Sequence, residues 1–77
     1  MKIKITKDNI ELGLRGSCTL DPVGRAMSDA GFEKPWASPL LLEDRATGYT
    51  WVTPVAVVDF MFAFDNGKFV EPMEFEL

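Results

Sequence analysis

The two ends of the chain carry the clearest pattern. Met1-Lys2-Ile3-Lys4-Ile5-Thr6 alternates apolar and basic residues with period two, the pattern of a strand with one buried and one solvated face. Met73-Glu74-Phe75-Glu76-Leu77 repeats the alternation with acids in place of lysines. Pairing the two strands sets Lys2 and Lys4 beside Glu74 and Glu76. Each exposed pair contributes only about 0.2–1 kcal/mol, but like charges there would oppose the pairing, so the complementarity is a register cue.

Between the ends the period lengthens. Thr6 can cap a short helix from Lys7, with Asp8 in its first turn and Gly13 and Gly16 ending it. Asp21-Pro22 is an N-cap followed by proline at the first helical position. Val23, Ala26, Met27 and Ala30 then recur at helical spacing until Gly31 stops the run. Pro35 and Pro39 bracket an irregular connection that includes Trp36. Leu40-Leu41-Leu42 and Tyr49-Thr50-Trp51-Val52 flank a polar segment ending in Gly48, which predicts a β-hairpin with a longer loop. Thr53-Pro54 repeats the cap-plus-proline signal and opens a third helix from Val55 to about Asp65, closed by Asn66-Gly67. The expected fold is α+β in the order β-α-α-β-β-α-β: one small domain over residues 1–77, its sheet antiparallel or mixed, with helices packed on it.

The third helix is the exception to amphipathic patterning. Val55, Val57, Val58, Phe60, Met61, Phe62 and Phe64 cover nearly every face, so the helix is either sandwiched or meets a partner with part of its surface.

Size and charge narrow the function. A chain of 77 residues buries only about 60–65% of the surface its unfolded form exposes, and its stability falls at roughly 4–12 kcal/mol. Twelve acidic against eight basic residues give a net charge of −4, which argues against direct binding to nucleic acid, because that grip needs Lys and Arg to displace counterions from phosphates. A lone Cys18 precludes an internal disulfide. No stretch resembles a secretory signal or a membrane span, since the longest apolar block, Val55 to Phe64, is short and carries Asp59. A cytosolic protein without membrane contact is expected.

Candidate chemistry is thin. Histidine is absent, which removes the commonest general base near neutral pH and the commonest metal ligand. Cys18 has no histidine to activate it and is expected to be unreactive packing. Gly13-Leu14-Arg15-Gly16 lacks the spacing and lysine of a phosphate loop and reads as a turn. The carboxylate pairs Glu43/Asp44 and Glu74/Glu76 read as solvated charge. No enzyme activity, cofactor or metal is expected. Trp36, Tyr49 and Trp51 are open to two readings, core packing or a recognition surface, because Trp and Tyr serve both. If a binding surface exists, it is expected on the hairpin Glu43, Asp44 and Arg45 with the adjoining Trp36 and Tyr49. Asp59 and Asp65 would support it if the third helix lies alongside.

Several segments together carry a resemblance: the first strand leading into Thr6 with Ile10 and Gly13, then Gly16-Ser17-Cys18 and Asp21-Pro22-Val23 with Ala26. The ending runs from Phe64-Asp65-Asn66-Gly67 through Val70-Glu71-Pro72 to Phe75-Glu76-Leu77. On these residues the chain resembles small, mostly uncharacterised proteins of tailed bacteriophages and prophages over almost its whole length, least well from about Phe32 to Val52. Relatives look to have a second cysteine where Asp21 stands here, so a Cys-x-x-Cys role does not transfer, and Asp21 is read as a helix cap. The resemblance implies a phage origin, and together with the small size, the net charge of −4 and the thin chemistry it leads to the expectation of an anti-CRISPR-type inhibitor in the host bacterial cytoplasm. A monomer would bind a host defence protein or CRISPR effector complex stoichiometrically, covering a basic nucleic-acid-binding surface. The alternative is a phage structural or regulatory accessory that self-assembles and has no immune target.

Overall fold

The computed structural model describes residues 1–77. β1 (Lys2–Ile5) pairs antiparallel with β5 (Met73–Glu76) in the register Lys2↔Glu76, Ile3↔Phe75 and Lys4↔Glu74, as the terminal alternations require. Ile3, Ile5 and Phe75 turn inward, and Lys2 Nζ lies 3.3 Å from Glu74 on the solvated face.

Helices α1 (Lys7–Leu12) and α2 (Pro22–Asp29) follow, each with the expected cap. The Thr6 hydroxyl accepts from the Asn9 N–H at 3.2 Å, while Asn9 Oδ1 accepts from the Thr6 N–H at 2.8 Å, a reciprocal capping box. Asp21 Oδ1 accepts from the Gly24 N–H at 2.8 Å. Gly31 closes α2 with φ +107°. Its N–H donates to Ser28 O and that of Phe32 to Met27 O, which ties down the last carbonyls of the helix and sets Phe32 against the core.

β2 (Pro35–Ala37), β3 (Leu41–Asp44) and β4 (Tyr49–Val52) form a second, antiparallel sheet in the order β2-β3-β4. The predicted elements all occur in the predicted order, with two refinements. The segment around Trp36, read as irregular, contributes β2, because Pro35 and Ala37 can join a ladder at its edge although proline donates nothing to it. The strands also divide into two sheets, with α2 packed against both β1 and β2.

α3 (Val55–Asp65) resolves the ambiguity of its sequence. Val57, Phe60, Met61 and Phe64, at helical spacing, enter a single core with Ile3, Ile5, Val23, Met27 and Leu42, whereas Val55 (76% exposed) and Phe62 (54%) remain in solvent. The helix is covered on one face only. Its end follows the same chemistry as that of α2: Gly67 takes φ +75° and Lys68 N–H donates to Ala63. Its start differs from expectation. Pro54, not Thr53, occupies the cap position, and the Thr53 hydroxyl instead donates to Ser38 O at 2.7 Å, joining the end of β4 to the β2–β3 connection.

Candidate functional site

Strand register sorts the expected binding residues onto two faces. Cross-strand partners share a face, so Trp36, Glu43 and Thr50 lie in one row, with Leu41 and Val52 in the next. Ala37, Leu42 and Trp51 lie on the opposite face with Pro35, Asp44 and Tyr49. Ala37 and Leu42 are core residues, so the second face is the inner one and the first faces outward.

On the outer face, three of the expected residues come together. The Arg45 guanidinium lies 3.6 Å over the Trp36 ring, and Arg45 Nε donates to Glu43 Oε1 at 3.1 Å. A cation over an indole face with a carboxylate at its edge holds both long side chains in one geometry. Trp36 and Glu43 are half-buried and Arg45 is exposed, so the cluster is ordered yet reachable. Trp36 therefore lies outside the main core, while Trp51 packs at its margin, edge-on to Phe32 with ring centroids 5.5 Å apart.

The other expected residues do not join this cluster. Asp44 is buried (5% exposed) rather than solvated. Its carboxylate accepts from the N–H groups of Lys34 and Ala46 and from the Thr47 hydroxyl, and its carbonyl accepts from the Thr47 and Gly48 N–H groups. An aspartate that organises the turn in this way has no oxygen left to present to a partner. Tyr49 is 68% exposed but on the opposite face, 6.4 Å from Trp51. Asp59 and Asp65 are exposed on α3 and make no hydrogen bond or ion pair with the hairpin. Asp65 instead accepts from the Gly16 N–H at 3.2 Å, where the neighbouring Arg15 donates to Phe64 O at the end of the helix. Arg15 thereby supplies the positive charge that the last turn of α3 lacks.

A groove of about 620 Å³ adjoins Arg45. Asp8 and Leu12 of α1, Arg25 and Asp29 of α2, and Leu20 and Lys34 from the loops line it. Nothing in the sequence indicated it, because its walls come from segments far apart in the chain. Asn9 Nδ2 donates to Asp29 Oδ2 at 2.9 Å and fixes the distance between α1 and α2.

The sheet's two edges differ. The β2 edge is covered, since Ala37 N–H donates to Cys18 O at 2.7 Å and the loop after α1 runs alongside. The β4 edge is bare. Thr53 N–H points to Leu40 O, and by the alternation of an antiparallel ladder Trp51 and Tyr49 also face β3. Thr50 and Val52 are left with their amides and carbonyls turned outward.

One ionisable group is strongly perturbed. Burial raises the Asp21 carboxyl from its usual 3.8 to about 6, with the Asp65 charge adding to the rise and the Gly24 N–H bond opposing it. No group of three or more Cys, Asp or Glu side chains is placed to hold a metal ion, and no helix is long and apolar enough to cross a membrane.

Comparison with protein-family models, curated proteins and solved structures finds no match to this chain. The phage resemblance draws no support from them, and the geometry alone bears on function.

Proposed function

We propose that this protein is a stoichiometric binding protein, of the kind phages use to inhibit a host defence complex, and that it engages its target through the outer face of the three-stranded sheet. The observation that carries the reading is the preset Trp36–Arg45–Glu43 cluster on a sheet face that no helix covers. Trp, Tyr and Arg dominate binding hot spots, and a side chain already ordered before contact loses less entropy on binding. The net charge of −4 favours a basic partner surface and speeds encounter with it. A second reading, a self-assembling phage structural or regulatory accessory, is favoured by the bare β4 edge.

The test is capture from a host lysate followed by affinity measurement on the identified CRISPR effector or other defence protein. Trp36→Ala, folded by far-UV circular dichroism, is expected to weaken binding by about 30-fold or more, the scale of a hot-spot residue. Glu43→Lys is expected to slow association at low salt and to lose that effect at high salt. Asp44 is no part of this test, because its replacement would undo the turn. Full affinity in the Trp36→Ala variant would remove the outer face from the interface.

A further inference from the structure

The β4 edge has three properties that seldom occur together. Its outward amides and carbonyls, on Thr50 and Val52, have no partner. Its side chains are β-branched or aromatic and accessible, with Tyr49 at 68% and Val52 at 83% exposure. It is also uncharged: residues 46–58, the longest such run in the sequence, hold no Asp, Glu, Lys or Arg although 26% of the chain is charged. Natural sheet edges are blunted by lysine, proline, a bulge or a covering segment, and β2 is covered in this way by the Cys18 loop. β4 has none of these devices within it.

We infer that β4 pairs edge to edge, antiparallel, with β4 of a second copy of this chain, joining two three-stranded sheets into a continuous one. Charge selects this occupant. A basic partner finds no acid along residues 46–58, whereas two chains of net charge −4 can meet there without opposing like charges. The register follows from the ladder. With a two-fold axis at Trp51, Thr50 of each copy faces Val52 of the other, so every free amide and carbonyl of the strand is used, and the two Trp51 side chains become neighbours on the inner face. Centring on Thr50 would need the edge groups of Gly48, whose N–H already donates to Asp44 O within the turn. Exposed Val55 extends the apolar surface beyond the strand. A four-residue edge falls short of the roughly 1,600 Å² of a standard interface, so a reversible dimer with a dissociation constant in the micromolar range is expected.

Sedimentation equilibrium across micromolar to millimolar protein tests the pairing. Wild type is expected to pass reversibly from monomer to dimer. Thr50→Pro removes one outward N–H without touching the β3 ladder, and Val52→Lys places a charge on the edge. Each is expected to stay monomeric over the same range with an unchanged far-UV spectrum. Phe62→Asp, which alters the exposed face of α3, is expected to dimerise like wild type. A monomeric wild type overturns the inference and leaves the edge to a strand of another protein. So does a dimer that survives both edge variants or is lost in Phe62→Asp. The pairing gives the self-assembling reading its surface, and its failure would remove that reading. Target binding by the outer face is read separately through Trp36→Ala and stands or falls on that result.

Discussion

The two sheets use the same kind of antiparallel pairing to opposite ends. In the β1–β5 pair every outward position is charged, Lys2 and Lys4 against Glu74 and Glu76, and every inward position of β1 is fully buried. In the β2–β4 sheet the outward rows hold Trp36, Thr50, Leu41 and Val52, and charge appears only as the Glu43–Arg45 pair. The first arrangement specifies one register and discourages any further strand, because a newcomer would meet a row of charges. The second leaves apolar surface and free backbone groups in water, a cost that is recovered when something covers them. Both sheets send inward residues into the one core, but only the hairpin sheet leaves an apolar outer face and a bare edge for recognition.

The strongest way to break that contrast is to truncate one side chain in each sheet. Ile5→Ala empties a fully buried site between β1 and the helices and is expected to cost about 2–5 kcal/mol, a large share of the roughly 4–12 kcal/mol available. Val52→Ala, in a strand with little burial, is expected to fall within about 0.5 kcal/mol of wild type. Urea denaturation at low protein concentration, where association does not contribute, measures both. Equal losses would mean that the exposed β4 edge carries as much of the fold as the buried face of β1.

How much of this was legible depends on the range of the interaction. The Lys/Glu alternation at the termini gave the β1–β5 register, and Thr6 and Asp21 gave both caps, because period-two patterning and capping are properties of a few adjacent residues. Thr53 misled for the same reason. A Thr-Pro pair looks like a cap locally, but its hydroxyl is used by Ser38, fifteen residues away in sequence. Of the hairpin residues, Trp36, Glu43 and Arg45 lie together in space. Strand parity, fixed only once the β3–β4 register is known, put Asp44 and Tyr49 on the other face. Asp44-Arg45-Ala46-Thr47-Gly48 does contain the signal of a side-chain-organised turn, an aspartate two residues before its N–H partner, and that signal outweighs the reading of Asp44 as surface charge. The bare edge of β4 needed the strand order, which no local pattern supplies.

α2 packs on both sheets, and its cap offers a pH-dependent handle on what joins them. The folded Asp21 carboxyl holds its proton to about 6, above the usual 3.8. Between those values the native state therefore binds more proton than the unfolded chain. This group's contribution is complete below about pH 4 and is lost as pH rises through 6, by about 2–3 kcal/mol. Asp21→Asn keeps an oxygen for the Gly24 N–H, since Asn caps as well as Asp, and removes the buried charge. The variant is expected to match wild type near pH 4 and to melt about 8–24 °C higher at pH 7.5, at about 4–8 °C per kcal/mol. A difference that does not change between the two pH values would show that the ionised carboxylate is not strained in its site.

The smallest effect separates the charged sheet from the uncharged one. Lys2 Nζ lies 3.3 Å from Glu74, both side chains about half exposed, and Glu76 is its direct cross-strand partner. Lys2→Glu turns this row from alternating to uniformly acidic at that end, and the expected loss is about 0.5–1 kcal/mol at low salt, shrinking as ionic strength rises. Glu76→Lys added to Lys2→Glu restores opposite charges in this directly opposed pair with the order exchanged and is expected to recover part of the loss, the recovered part measuring the coupling. Val52→Glu at the β4 edge, directly opposite the uncharged Leu41, is the matched control. Its cost to the folded monomer is expected to stay within a few tenths of a kcal/mol, because the side chain points into water. If the two substitutions proved equally costly and equally insensitive to salt, the terminal charges would carry no register information, and the alternation at the two ends would be a matter of solubility alone.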